Sequence, residues 1–263
     1  MSHLKRTMTM DNGTKDVVPR VDASTNAITT IQYEHHEIHG GSHYYIDNSV
    51  TLNDTNTHYL KIVTPNNTKE SHITWDISGN GIFTARLYEI PTGGMTGGTR
   101  MTIHANNRNK DCYSGRHTAA GNNATVMTDS GAAFVPGALV GMQIFNNTDK
   151  SSAFITANTA TTVTVAALAG GTDNDWDTND VYEINNSRMI ITSGVTVATS
   201  LGLPISYTSV GGTAFKGSVG GQAARHDEIP LRKNTTYFKS IVSGSDANII
   251  SYKAVWYEHT PKG

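Results

Sequence analysis

The chain has 263 residues, a length that suits one large β domain or two smaller ones, since domains centre on roughly 100–150 residues. Charged residues make up 16% and the formal net charge is −2, so the basic footprint that neutralises phosphates is missing and no nucleic-acid partner is expected. The hydrophobic fraction is only 37%, and the balance is filled by Gly, Thr, Asn and Ser, residues of turns and half-exposed strands.

The single cysteine, Cys112, excludes an intramolecular disulfide and fits folding in a reducing cytoplasm. Lys5 and Arg6 are not followed by the apolar core of a secretory signal, and no apolar run approaches the roughly 20 residues of a membrane-spanning helix. Neither export by that route nor a membrane partner is expected. Residues 1–30 are polar, contain Pro19 and follow neither helical nor strand periodicity, which predicts an extended N-terminal arm ordered by contact with something else. Period-two runs follow at 31–38, 43–46, 58–64, 72–77, 82–89 and 100–104, separated by turn residues such as Gly40-Gly41 and Pro65-Asn66-Asn67. In the fourth run Ile73, Trp75 and Ile77 share one face, and in the fifth Phe83, Ala85 and Leu87 do the same. The link Ser78-Gly79-Asn80-Gly81 predicts that these two runs pair as a hairpin.

From 113 to 185 the chain turns to short Val/Thr/Ala-rich runs at 124–128, 139–146, 153–157, 161–167 and 181–184. Runs of the earlier kind resume at 188–192, 228–231, 236–242 and 249–258, with a Gly-rich stretch at 194–221 that reads as a long loop. This order predicts a split β-sandwich, 31–112 and 186–263, interrupted by a small inserted β module at 113–185; loop-closure cost grows slowly enough with length to allow it. No window of a dozen residues carries helical periodicity. The expected fold class is all-β, a jelly-roll-like or related antiparallel β-sandwich.

The most chemical-looking stretch runs from Tyr33 to His43. On a strand His35, Glu37 and His39 share a face, and with His43 they make the candidate metal set, imidazoles and a carboxylate being usual zinc or iron ligands. Their spacing lacks the His-x-His pair with a following Glu that marks cupin-type sites, so no metal and no other cofactor is assigned. His35, His36 and His39 are read instead as residues of a sheet face or subunit boundary, paired with Glu34, Glu37 or backbone groups. There is no Gly-x-Ser-x-Gly elbow or phosphate loop, and Cys112 lies in no nucleophile motif, so no catalytic residue is assigned and the chain is read as non-enzymatic. The stretch Asp173-Asn174-Asp175-Trp176-Asp177-Thr178-Asn179-Asp180 lacks the sixth-position Gly and final Glu of a calcium loop; it is expected to be a turn in which Trp176 anchors a core.

Three stretches carry a family resemblance. They are Ile31-Gln32-Tyr33-Glu34-His35-His36-Glu37-Ile38-His39-Gly40-Gly41-Ser42-His43-Tyr44-Tyr45, Ile103-His104-Ala105-Asn106-Asn107-Arg108-Asn109, and Ala254-Val255-Trp256-Tyr257-Glu258-His259-Thr260-Pro261-Lys262-Gly263. Together they resemble small virion structural proteins of tailed bacteriophages. The middle region, with its Thr-Asp-Ser-Gly-Ala-Ala and Trp-Asp-x-x-Asp-x-Tyr patterns, resembles another phage-associated β module. The resemblance implies a capsid decoration or cement protein at the capsid surface. Its partners would be the major capsid protein and copies of itself, with a trimer preferred. The arm and the final strand would then touch the shell or sister subunits while the inserted module faces outward. His35, His36, His39, Tyr44, Tyr45, Trp256 and Tyr257 are the interface candidates. Two other readings come from different classes: a tail or fibre attachment protein that stacks glycans on Tyr44, Tyr45 and Tyr207, and a cupin-like metal-dependent enzyme built on the histidine cluster.

Overall fold

A computed structural model describes residues 10–11, 16–17, 33–90, 94–110, 112–197, 202–210, 219–221 and 228–260. The chain divides into two units, Met1–His36 and Glu37–Gly263. In the first, β1 (Met10–Asp11) and β2 (Asp16–Val17) pair antiparallel; the remainder of the expected arm lies outside the described residues.

The expected strand at 31–38 is not formed. Helix α1 spans Tyr33–Gly40, and residues 31–32 lie outside the described set. The reason is its C-terminal cap: Gly41 sits at φ 81° and donates to Ile38 O at 3.1 Å, while Ser42 donates to Glu37 O at 2.9 Å. That is the paired closure of a Schellman motif, for which a glycine in the left-handed region is the usual solution. A polar run with no apolar face has no sheet pattern strong enough to compete.

Next come β3 (His43–Leu52), β4 (Thr57–Val63), β5 (Glu70–Gly79), β6 (Phe83–Ile90), β7 (Met95–Thr96), β8 (Thr99–Arg100) and β9 (His104–Ala105). The middle region holds β10 (Tyr113–Arg116), β11 (Val126–Thr128), β12 (Gln143–Asn146), β13 (Ser152–Asn158), β14 (Thr162–Val165) and β15 (Val181–Asn185). The chain closes with β16 (Ile190–Ser193), β17 (Thr196–Val197), β18 (Ser206–Val210), β19 (Val219–Gly221), β20 (Ile229–Leu231), β21 (Thr236–Ser243) and β22 (Asn248–His259). The stretch 194–221, expected as a loop, therefore contributes three short strands. Its weak periodicity hid them because β18 and β19 sit at sheet ends and lean on one neighbour each.

One sheet has the order β19-β5-β22-β3-β9, with β20 also on β5; a second has the order β18-β6-β21-β4-β16-β8. Taken as eight principal strands, β3, β22, β5 and β19/β20 oppose β4, β21, β6 and β18. In chain order that is 1-8-3-6 against 2-7-4-5, a jelly roll, and every ladder in it is antiparallel. Alternation decides which side chains meet between the sheets. Tyr44, Ile46, Ile73, Ile77, Ile250, Ala254 and Trp256 come from one side, and Leu60, Ile62, Phe83, Ala85, Leu87 and Ile241 from the other, in one buried cluster. Each fully buried Leu, Ile or Phe contributes about 1.5–3 kcal/mol. On the far face of the second sheet Tyr88 stacks on Phe238 at 4.6 Å, joined in a small buried cluster by Met95 of β7 and by Val195, just before β17; β7 and β17 pair with each other.

The expected hairpin of β5 with β6 is absent. β5 pairs with β22, β19 and β20, whereas β6 pairs with β21 and β18 in the opposite sheet. The Gly79-Asn80-Gly81 link crosses between sheets, so the apolar faces of β5 and β6 look at each other through the core. Among the described residues β10 to β15 pair only with one another, in the order β10-β15-β12-β13-β14-β11, around their own buried cluster of Met127, Phe134, Ile144, Val163, Trp176 and Ile184. Trp176 is fully buried there.

Candidate functional site

The outer face of the first sheet carries a row of rings at one end. His43, Tyr257 and His72 lie on β3, β22 and β5 and are direct register partners. Tyr257 stacks on His72 at 4.8 Å and on His43 at 6.5 Å, and His259 closes on His72 at 4.8 Å. These side chains face outward because Ser71, Ile73, Trp256 and Glu258, their strand neighbours, turn inward and are buried.

Glu228, just before β20, completes the cluster. Its Oε1 lies 2.5 Å from His72 Nδ1 and accepts from Tyr257 Oη at 2.6 Å. His72 Nε2 meets His259 Nε2 at 3.0 Å, and His259 Nδ1 lies 3.2 Å from Thr260 O. Glu70, the register partner of His259, brings a carboxylate to the same place. Sequence reading misses Glu70, His72, Glu228 and His259. Its only local trace is the i, i+2 spacing of Glu70 with His72 and of Tyr257 with His259, and the pairing of β5 with β22 is what joins the two pairs.

The candidate metal set from sequence is placed differently. Residues two apart on a helix stand about 160° apart around its axis, so on α1 the position of Glu37 falls opposite those of His35 and His39, and the strand face that would have united them does not exist. The side chain of His35 lies outside the described residues; His36 and His39 are exposed and Glu37 is buried. His43 is buried on β3 and its Nδ1 lies 2.7 Å from Asn106 Nδ2. Of the aromatic interface candidates, Tyr44 and Trp256 point into the sandwich, 6.0 Å apart, with exposures of 0% and 1%. Strand alternation turns them inward, which makes them core residues of this chain. Tyr45 faces outward between His104 at 5.3 Å and the Lys253 ammonium at 4.9 Å, and Tyr257 belongs to the ring row.

Between the sheets, polar groups are few and specific. Ser193 Oγ, His58 Nε2 and Tyr252 Oη form a triangle of 3.0–3.3 Å contacts, and burial lowers the His58 pKa. A Ser–His pair needs an orienting acceptor on the far ring nitrogen to make a nucleophile, and among the described residues no carboxylate bonds His58 Nδ1. Lys239 is buried with its ammonium 5.3 Å from the Trp75 ring, and burial pulls its pKa down to about 8. Among the described residues, the two groups of three ligating side chains, Glu70/His72/His259 and Asp173/Asp175/Asp177, both lie outside the space between the sheets, where a cupin-type site would sit.

Two buried carboxylates join the middle region to the sandwich. Glu183 of β15 holds Arg108 at 2.6 Å and His104 at 3.0 Å; burial works to raise its pKa, but these two partners outweigh it and leave it lowered. Burial and the Glu183 charge push the nearby Cys112 thiol up to about 11, which leaves it a poor nucleophile at neutral pH. Glu258 is fully buried and accepts from Ser187 Oγ, Arg188 N and Trp256 Nε1 at 2.9–3.2 Å, pinning the return from β15 to the last strand. Asp173–Asp180 behaves as a turn: Asp149 accepts from Asn174 N at 2.8 Å and Asp180 from Asp177 N at 2.9 Å. Depressions in the surface of the described residues include these two. One, of about 470 Å³, is polar and lined by Asp47, Ser49, Asp76, Ser78 and Lys253; the other, of about 660 Å³, lies beside Pro65, Phe154 and Arg188.

No family model matches this chain, and no curated protein matches it. Among solved structures it is similar to VP17, a capsid protein of bacteriophage P23-77, at 9% identity over 82% of this chain and 95% of that one, with a TM-score of 0.13. At that score the likeness carries no argument about fold or function, which rest on the strand order and the surfaces described above.

Proposed function

We propose that the protein is a bacteriophage virion structural protein that binds the assembled head as a decoration or cement protein. The observation that supports this best is the strand order. A jelly roll is an architecture used by viral capsid domains, and this one carries a separately cored six-stranded sheet between its fourth and fifth principal strands. Jelly rolls also serve enzymes and lectins, so the surface has to decide among them. Here the sandwich interior is packed by apolar side chains, and its Ser193–His58–Tyr252 group and its Ser187–Glu258 pair bond among themselves instead of converging on a cavity. The protein acts by binding, without catalysis. Its partners are the major capsid protein and copies of itself, a trimer being preferred, with residues 1–30 and β22 on the shell side. No helix among the described residues is long and apolar enough to cross a membrane.

Purified full-length protein added to heads that lack it tests the reading by electron cryomicroscopy. Density on the head lattice at symmetry-related positions is the expected result, and removing residues 1–30 is expected to lower its occupancy. Density confined to the tail would transfer the protein to the attachment class. That second reading keeps one specific observation: Tyr207 is 56% exposed on β18, with the Arg86 guanidinium 5.2 Å from its ring. The three-tyrosine platform it needs is not assembled, because Tyr44 lies in the core.

A further inference from the structure

The contact between His72 and His259 is informative because of what lies on the other side of each ring. His72 Nδ1 faces a carboxylate oxygen of Glu228, and His259 Nδ1 faces the carbonyl oxygen of Thr260. A carboxylate and a carbonyl accept hydrogen bonds, so both Nδ1 positions are donors, and the neutral form of each ring then presents a lone pair at Nε2. Those two Nε2 atoms meet at 3.0 Å. Two lone pairs face to face repel, and a cation between them turns the contact into an attraction.

We propose that Glu70, His72 and His259 form a binding site for one divalent transition-metal ion, with zinc the best match. Their ligand atoms lie within 4.8 Å of one another. Two nitrogens bound tetrahedrally at 2.0–2.1 Å stand about 3.3 Å apart, close to the separation the two rings already have. Two imidazoles and one carboxylate suit zinc and its neighbours over magnesium or calcium, which take oxygen ligands. Three protein ligands leave a fourth position for water or for a group from a partner. Glu228 supplies the outer support such sites use, a carboxylate on the far nitrogen of a ligating histidine, and is itself held by Tyr257 Oη at 2.6 Å. The ligands are half-buried, so an ion can enter while bulk water competes weakly.

The site fastens the start of β5, the end of β22 and, through Glu228, the approach to β20, segments far apart in sequence. The inference is independent of where in a particle the protein acts. Full-length protein stripped with a chelator is titrated with zinc by calorimetry, and bound metal is counted by elemental analysis. One ion per chain is expected, with a rise in Tm of roughly 5 °C in zinc excess. Cobalt in place of zinc is expected to show the visible bands of a tetrahedral ion. His72→Ala and His259→Ala are expected to abolish binding, Glu228→Gln to weaken it by about 10- to 100-fold at unchanged stoichiometry, and His36→Ala to leave it alone. Circular dichroism establishes that each variant is folded. Wild-type protein that takes up no stoichiometric zinc overturns the site, as does wild-type-like binding by folded His259→Ala. A proton shared between the rings of metal-free protein, seen by nitrogen NMR with zinc binding absent, overturns it too.

Discussion

Glu183 and His58 show how single residues set the acid response of this fold. The Glu183 pKa is lowered in the folded protein, because Arg108 and His104 outweigh the cost of burial. Its contribution is therefore complete above the ordinary value of 4.5 and is lost as pH falls through the lowered one. His58 is lowered from 6.5 by burial alone. As pH falls below 6.5 the unfolded chain takes up that proton first, so the His58 contribution is lost over a higher window. Glu258 acts in the opposite sense, because burial raises its pKa and its ionisation weakens the fold as pH rises. Comparing each variant with the wild type cancels that opposing contribution. Urea unfolding across the acid range is expected to show His58→Gln flattening the upper part of the decline and Glu183→Gln the lower part. At neutral pH Glu183→Gln is expected to cost about 1–3 kcal/mol, since a buried acceptor of charged partners is replaced by a weaker one. An unchanged pH profile in Glu183→Gln would show that Arg108, nearly half exposed, leaves that carboxylate to water instead.

At the scale of elements, the crossing from β5 to β6 is the instructive case. Its glycines suit a hairpin turn, yet their role here is close approach. A Cβ on Gly81 would collide with Ser245 Oγ, in the turn that joins β21 to β22, and stand 3.1 Å from Cγ of Asn248, which opens β22. Asn80 Oδ1 accepts from Ile249 N at 2.8 Å and fastens the crossing to the start of that strand. Gly81→Ala is expected to lower stability by about 1–3 kcal/mol, the usual cost of overpacking, and adding Ser245→Gly is expected to recover most of it. Chemical denaturation of the single and double variants measures both; no recovery would place the strain elsewhere. Much at this scale was legible beforehand. The inward faces of β5 and β6, with Ile73, Ile77, Phe83, Ala85 and Leu87, follow from alternation alone, and the burial of Trp176 follows from its place as the one large apolar residue in an Asp/Asn-rich turn. Helix α1 was not legible, because its residues form no apolar face and its one decisive signal, Gly40-Gly41, serves equally well between strands.

At the scale of the whole molecule, two cores are built from one chain. β10 to β15 share no ladder with the jelly roll, and the links between the two are specific: Arg100 to Ser152 O at 2.6 Å, Asn185 to Ile103 O at 2.6 Å, the Glu183 pairs, and Phe145 packed into the larger cluster. Replacing residues 113–185 with a short Gly/Ser linker is expected to leave a β-rich chain that melts cooperatively at a lower temperature, as followed by circular dichroism and calorimetry. Loss of all cooperative melting would make the middle sheet a part of the main core.

The residues by themselves determined that this chain is all-β, which side chains of its longer strands face inward, and that its character changes between 113 and 185, because alternation and composition are local properties. Only the tertiary structure decided which strand lies beside which. It put β5 next to β22 and away from β6, turned Tyr44 and Trp256 inward, and gathered Glu70, His72, Glu228 and His259 from three distant segments onto one outer face. Strand pairing in a jelly roll is non-local, and nothing in the period of one strand names its partner.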